Sequence, residues 1–460
     1  MIPIITVEEM RVWENASWEA GISERKVIGN VGEIIAAHLL KNTKKGDLIV
    51  FLAGKGNNGA DARAAAEHLN DRRTVFIDTL APKTQLQSVI DALAKRPKVV
   101  VDALFGTGLN RELNKDWINL INTVNESHLQ ILSIDIPSGL SGTDGTIRGA
   151  AIRADVTLSL GGIKTGLVKG GPNTALVGHL ICEPHIGLYQ QPAQETQRFW
   201  IDKHEFLNFP PRRSCDSHKG THGHLCILAG SLGYHGAAVL CAKAAAKSRP
   251  GLTTVLTSRD ALTPIASQLA TQMVNIWQGD LPERITCLVI GPGLAGHDLD
   301  ANLKTEFQKL WENFPHPIIV DATALDWIPK NSTETKGLRV LTPHPGEAAR
   351  MLNVTTEEIQ KDRESSVRKL SQKYANAIVV LKGQHTLVAT TDSEITYNGS
   401  GNPALAQGGE WRHTNRLPRW PSCPSIPQAK PTKYSPIWSV ETWRCSRPVG
   451  VKRLTLDFGQ

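Results

Sequence analysis

The sequence predicts two consecutive α/β layers followed by an irregular tail. Three observations carry this: short apolar runs alternate with helical patterns twice over, a polar Pro-containing stretch (190–220) separates the two alternations, and periodicity stops just after Gly408-Gly409. In the first half, strands are expected at 47–54, 74–80, 98–106, 129–139 and 154–162, with about a helix length between several of them. Continuously apolar strands joined by helices imply a parallel sheet covered on both faces, a Rossmann-like doubly wound layer. The segment 7–40 ahead of it is expected to be helical. The second alternation predicts strands at 224–231, 253–258, 285–293, 317–325, 338–344 and 377–383, then a hairpin and a glycine-rich loop. The boundary between the halves is expected near residues 200–215.

At 460 residues and 40% hydrophobic content the chain can bury more than one core. Its net charge of +7 is spread along the sequence and is raised by the tail, so nucleic-acid binding is not expected. Seven Cys (182, 215, 226, 241, 287, 423, 445) show no zinc spacing and are expected to be reduced and mostly buried. The first residues are acidic where a signal peptide needs a basic region, and no run approaches the ~20 apolar residues of a spanning helix. A cytoplasmic protein without membrane contact is expected.

The tail, 410–460, holds four of the eleven Trp and has no period of 2 or 3.6. Sliding the reading frame by one base turns the codons of Trp411–Arg416 into a set that admits Gly-Asp-Thr-Leu-Thr-Gly. Those of Arg419–Pro424 then admit Ala-Gly-Leu-Leu-Ala-Gln. Together these read as a glycine-rich anion loop opening a buried helix, so residues 410–460 read as the product of a frameshift. Pro418, Pro421, Pro424 and Pro427 predict that this tail forms no packed helix bundle.

In the first half, GKGNNGAD (54–61) follows a strand and opens a helix, where backbone amides favour a phosphate. Asn57, Asn58 and Asp61 add side chains that a structural turn does not require. VDALFGTGLNRE (101–112) and IDIPSGL (134–140) put Asp102, Asp135 and Ser138 at further strand ends, and in an open parallel sheet such ends converge on one crevice. Oxygen ligands without His or Cys suit a hard cation, with a carboxylate left over as acid or base.

These motifs resemble the NAD(P)H-hydrate epimerase family over about residues 8–190. The resemblance implies interconversion of the R and S hydrates of NADH and NADPH at C6 of the nicotinamide ring. It implies a potassium ion held by Asn58, Asp102 and Ser138, with Asp135 as catalytic acid or base. The hydrate site would be lined by Asn57, Asn58, Gly59, Ala60 and Asp61, by Gly106, Thr107, Gly108, Leu109, Asn110, Arg111 and Glu112, and by Asp135. Ala60 and Ala62 stand where the family has Gly, and a positive φ at position 60 would strain the loop.

In the second half, HKGTHG (218–223), GPGL (291–294), TPHPGE (342–347), LKGQHT (381–386) and GNPALAQGG (401–409) occur in that order. A Lys-Gly turn near a terminal anion loop suits a nucleotide with its phosphates. The set resembles the ADP- or ATP-dependent NAD(P)H-hydrate dehydratases, a branch of the ribokinase-like fold, over about residues 210–409. By resemblance Ala237, Gly293 and His344 would meet the hydrate, and Lys382, Gly383, Gln384, His385 and Thr386 the nucleotide, ADP or ATP with Mg2+. That family's GGxGD loop supplies anion-hole amides and an Asp that activates the C6 hydroxyl. Here Glu410 and Trp411 follow the glycines.

The expected organisation is therefore an epimerase domain at 1–205, a truncated dehydratase domain at 210–409 and the tail at 410–460. The chain reads as a bifunctional nicotinamide-nucleotide repair enzyme whose second activity is lost, expected to form a homo-oligomer. A ribokinase-like small-molecule kinase and a non-catalytic Rossmann-like scaffold are the alternatives.

Overall fold

The computed structural model of the chain describes residues 1–401 except 170, 190–196, 202, 208 and 331–333. Beyond these it describes one antiparallel pair of two-residue strands, Ile437–Trp438 with Phe458–Gly459. That pair apart, the expectation for the tail lies outside the described residues. The chain divides into two compact units, the first Met1–Trp200 and the second starting at Ile201.

The first unit contains strands β1 (Ile2–Ile5), β2 (Leu48–Ala53), β3 (Arg73–Asp78), β4 (Val99–Ala103), β5 (Ile131–Ile134), β6 (Val156–Leu160), β7 (Ile163–Lys164), β8 (His179–Glu183) and β9 (Arg198–Trp200). Its helices are α1 (Val7–Glu19), α2 (Glu24–Asn42), α3 (Asn57–Glu67), α4 (Pro82–Ala94), α5 (Lys115–Glu126) and the single turn α6 (Thr165–Val168). Six strands form a parallel sheet in the order β3-β2-β4-β5-β6-β8. Alternate residues of β2 face opposite layers. Ile49 and Phe51 pack under Val31, Ile35 and Leu39 of α2 and Ala62 and Ala65 of α3, while Val50 and Leu52 pack under Val89 of α4 and Leu120 and Val124 of α5. The chain runs from β2 outward to β3 and then back past β2 to β4, so the switch in strand order falls between the carboxyl ends of β2 and β4.

The segment expected as helix over 7–40 is two helices. Thr6 caps α1 reciprocally with Glu9, and Gly21 (φ +86°) turns the chain before Ser23 starts α2. The sequence reading also missed β1, which runs parallel to β7 with Ile5 opposite Lys164, and antiparallel to β9. Pro3 in a four-residue strand hides it, since Pro fits only strand positions whose N–H is not needed.

The second unit carries β10 (His224–Leu228), β11 (Leu252–Thr257), β12 (Met273–Ile276), β13 (Cys287–Ile290), β14 (Ile318–Val320), β15 (Arg339–Leu341), β16 (Ile378–Leu381), β17 (Thr386–Ala389) and β18 (Ile395–Asn398). Its helices are α7 (His235–Lys247), α8 (Leu262–Ala266), α9 (Leu303–Asn313), α10 (Pro345–Leu352), α11 (Thr356–Lys361) and α12 (Arg363–Lys373). The strand order is β12-β11-β10-β13-β14-β15-β16-β17-β18, parallel up to β16 and closed by an antiparallel hairpin. Small residues of α7, Ala238, Ala242 and Ala245, let it lie close on Leu225, Ile227 and Val255. Here the strand order switches between β10 and β13.

Candidate active sites

The loop after β2 is tighter than its glycines suggest. α3 begins at Asn57, so Asn57–Asp61 form its first turn, and no side chain caps it. A Cβ on Gly59 would lie 1.9 Å from the Gly54 carbonyl oxygen, so Gly is required there by the close approach of the loop to the helix start. Ala60 and Ala62 are ordinary helical residues, Ala62 fully buried. The anticipated strain at position 60 is absent because the helix starts at Asn57, five residues earlier than the loop reading of 54–61 supposed.

Asn58 donates its amide to the Ile134 carbonyl at 2.9 Å, which points Oδ1 toward Gly106, where a Cβ would come within 2.8 Å of it. Asp102 is fully buried at the end of β4. Its carboxylate accepts from the Ser138 hydroxyl (2.5 Å), the Ser138 amide (2.9 Å) and the Ser133 hydroxyl (2.7 Å). Burial raises the Asp102 pKa against the lowering effect of these bonds. Among the described residues Asp102 has no cationic partner. Asn58, Asp102 and Ser138 are thus brought together through the loop carrying Phe105 and Gly106, whose Phe105 amide donates to the Ser138 hydroxyl at 2.9 Å. Carboxylate, carboxamide and hydroxyl oxygens around an unpaired buried charge fit a large hard cation.

Asp135 follows β5 in the left-handed region (φ +63°), a conformation that a non-glycine residue holds only when its surroundings dictate it. Its Oδ1 accepts from the Lys164 ammonium at 2.5 Å and from the Leu160 amide at 3.1 Å. Lys164 is 1% exposed and also donates to the Leu160 carbonyl at 2.7 Å. Sequence reasoning missed Lys164; its signal was a lone Lys in an otherwise apolar and Gly-rich run, GGIKTGL, since a buried Lys needs a partner. Two more carboxylates reach this centre, Glu14 of α1 and Glu24, which accepts from the Asn57 amide at 3.1 Å. Burial first, then the negative charges of Asp135, Glu14 and Glu24, holds the Asp61 carboxyl well above the usual carboxylate range. Burial also raises Glu14, with Lys164 opposing. The loop from Gly106 to Glu112 forms a more exposed rim, where Thr107 accepts from Arg11 at 3.3 Å.

In the second unit, strand ends again carry the polar groups. Gly293 (φ +69°) lies against α7, where a Cβ would come 2.4 Å from the Tyr234 carbonyl and 3.2 Å from the Ala237 Cβ, so these two expected residues are neighbours. His344 caps α10: its Nδ1 accepts from the Gly346 and Glu347 amides at 3.0 and 3.3 Å, and Nε2 faces Glu347 Oε1 at 3.3 Å. Lys382 pairs with Asp321 at 2.8 Å and faces Glu347 at 3.7 Å, while the Thr342 hydroxyl donates to Asp321 at 2.6 Å. Glu347 therefore joins His344 to Lys382. Buried Arg363 donates to the carbonyls of Leu381 (3.1 Å) and Gln384, shaping the turn of Gly383, Gln384, His385 and Thr386. Asp321, Thr342 and Glu347 were not anticipated. Asp321 ends an apolar strand just as Asp102 does, and Glu347 completes a capping-box spacing after His344. Residues 402–409, the expected anion loop, lie outside the described residues.

Two doubly wound units, each with an ion-paired lysine–carboxylate cluster at its strand ends, define a tandem α/β enzyme with one site per unit. Residues 225–410 match the family described as NAD(P)H-hydrate dehydratase, and residues 24–95 and 77–166 match that of the YjeF-related protein N-terminus. The bifunctional NAD(P)H-hydrate repair enzyme Nnr of Coxiella burnetii is 31% identical over 429 residues, covering 87% of this chain and 86% of that protein. The Escherichia coli enzyme of the same description is 35% identical over 385 residues, covering 78% and 73%. The chain belongs to the bifunctional NAD(P)H-hydrate repair enzyme family. A crystal structure of the Bacillus subtilis ADP/ATP-dependent NAD(P)H-hydrate dehydratase, grown with ATP and Mg2+, matches 46% of this chain and 76% of that one at 31% identity and a TM-score of 0.41.

Proposed function

We propose that the first unit of this chain, spanning about residues 1–205, epimerises the R and S hydrates of NADH and NADPH, and that the second unit is a dehydratase domain without turnover. The observation that carries the first part is the buried Asp135–Lys164 pair at the carboxyl ends of the sheet, set among Asp61, Glu14 and Glu24. Asp135 exchanges protons at the hydrate, Lys164 orients its carboxylate, and the uncapped amides of α3 meet the nucleotide's phosphates. Asn58, Asp102 and Ser138 hold a potassium ion, whose charge compensates Asp102.

In the second unit Ala237, Gly293 and His344 receive the S hydrate, and residues 382–386 receive ADP or ATP with Mg2+. Phosphoryl transfer needs the hydroxyl aligned and deprotonated and the transferring charge met by preorganised amides. The family match ends at residue 410, where the sequence departs from GGxGD, which supports the frameshift reading of 410–460.

The test is turnover of purified R hydrate by the chain in KCl, followed by chromatography of both epimers, and then dehydration of the S hydrate with ADP or ATP. Epimerisation should proceed, and dehydration should run at least about 10²-fold below that of a chain whose frame is restored at codon 410. Absence of epimerisation refutes the first part; comparable dehydration by both chains refutes the second.

A further inference from the structure

We propose that Asp61 is the proton donor of the epimerase centre and Asp135 its proton acceptor, the two carboxyl groups working in turn on the C6 carbon; this rests on the epimerase reading above. Asp61 lies three residues beyond Asn58 on α3 and therefore shares its face. The Asn58 amide holds the Ile134 carbonyl, one residue before Asp135, so that face looks onto the Asp135 turn. Asp61 is 7% exposed, and among the described residues its carboxyl has neither a hydrogen bond nor an ion pair. It caps nothing, being the fifth residue of its helix.

The charged groups facing Asp61 are Glu14 from α1, Glu24 at the start of α2, Asp135 after β5 and Lys164 on β7. Three negative charges against one positive, in a buried site, favour the protonated acid. Asp135 has different neighbours, an ammonium at 2.5 Å and an amide at 3.1 Å on one oxygen. Two carboxyl groups in contrasting surroundings are the arrangement that separates an acid from a base.

The step balances without any oxidant. Asp61 gives its proton to the C6 hydroxyl as the C6–O bond breaks and water leaves. The lone pair of ring N1 fills the N1=C6 bond, giving a cation that the surrounding carboxylates stabilise. Water then adds to C6 from the other face and surrenders a proton to Asp135. Return of a proton from Asp135 to Asp61 through solvent resets the site, and the reverse direction exchanges the two roles.

The test uses the full chain in KCl. Asp61→Asn should lower kcat for R-to-S conversion by about 10²- to 10⁴-fold with an unchanged circular dichroism spectrum. Its thermal midpoint should equal or exceed that of the parent, because a buried ionisable carboxyl is replaced by a neutral amide of the same shape. The parent should lose kcat/KM on the alkaline side as Asp61 loses its proton, a limb the residual activity of Asp61→Asn should lack. In H2(18)O the parent should introduce one solvent oxygen per epimerisation. Asp61→Glu, which keeps the acid, should exceed Asp61→Asn at least about tenfold. Turnover of Asp61→Asn within about threefold of the parent, equal activity of the two variants, or epimerisation without solvent oxygen overturns the proposal. A parent that does not interconvert the hydrates refutes the epimerase reading instead.

Discussion

The two units share an architecture but differ in where their polar groups come from. In the first, Glu14, Glu24, Asp61, Asp102, Asp135 and Lys164 arrive from helices and strands that are all described and all upstream of residue 165. In the second, Asp321, His344, Glu347 and Lys382 converge in the same way, yet the amides and carboxylate expected to complete the site belong to a loop beyond residue 401. A doubly wound sheet makes a crevice wherever its order switches, but whether the crevice works depends on the last loop to reach it.

The comparison breaks most directly at Asp135. Asp135→Asn should reduce epimerisation by about 10²- to 10⁴-fold and leave ADP binding untouched; equal loss of both, by kinetics and calorimetry, would show that the substitution unfolds the chain. Next in size is Gly59→Ala, whose Cβ meets the Gly54 carbonyl at 1.9 Å. It should cost about 1–3 kcal/mol, read as a lower denaturant midpoint in the first unit.

Lys382→Met should weaken ADP binding by about tenfold, roughly 1.4 kcal/mol, with epimerisation unchanged. An unaltered calorimetric affinity would mean that Lys382 serves Asp321 and Glu347 alone. The smallest change expected is Ala60→Gly, which installs the glycine of the related sequences. In a helix it should destabilise by about 0.5–1 kcal/mol, whereas a strained loop would have gained stability.

The pH response should also separate the units. Asp61, Glu14 and Asp102 have folded pKa values raised above their unfolded values of 3.8, 4.5 and 3.8. Their stabilising contribution is complete below those values and is lost as pH rises through the raised ones. In the second unit burial pushes the Asp298 carboxyl up, but it lies below its ordinary value because the Leu232 amide donates to Oδ1 at 2.9 Å, so its contribution is present above 3.8 and lost on acidification. Amide exchange in α3 should therefore accelerate between mildly acidic and mildly alkaline pH more than exchange in α12; equal acceleration would contradict this.

The strands that position the sites were legible because they are continuously apolar, and so were Asp102, Asp135 and Ser138, because each stands at such a strand's carboxyl end. Asp321 carried the same signal. β12 was illegible because its residues alternate between exposed and half-buried at a sheet edge, and β1 because of Pro3. Lys164 escaped for a different reason: partner choice is a long-range property, and nothing near it in sequence names Asp135. The start of α3 was placed too late because Asn and Gly read as loop formers, while the close contact of Gly59 with Gly54 is visible only in three dimensions.

β1 carries a consequence for how the centre is assembled. Ile5 lies opposite Lys164 in the β1–β7 pairing, so a strand far removed in sequence helps fix the lysine that pairs with Asp135. During synthesis that first strand has no parallel partner until β7 has emerged. Until then Lys164 cannot meet Asp135, and the acidic centre lacks its counter-charge. The nascent epimerase unit should accordingly gain its site in one late event, when β1 is captured by a segment made long after it.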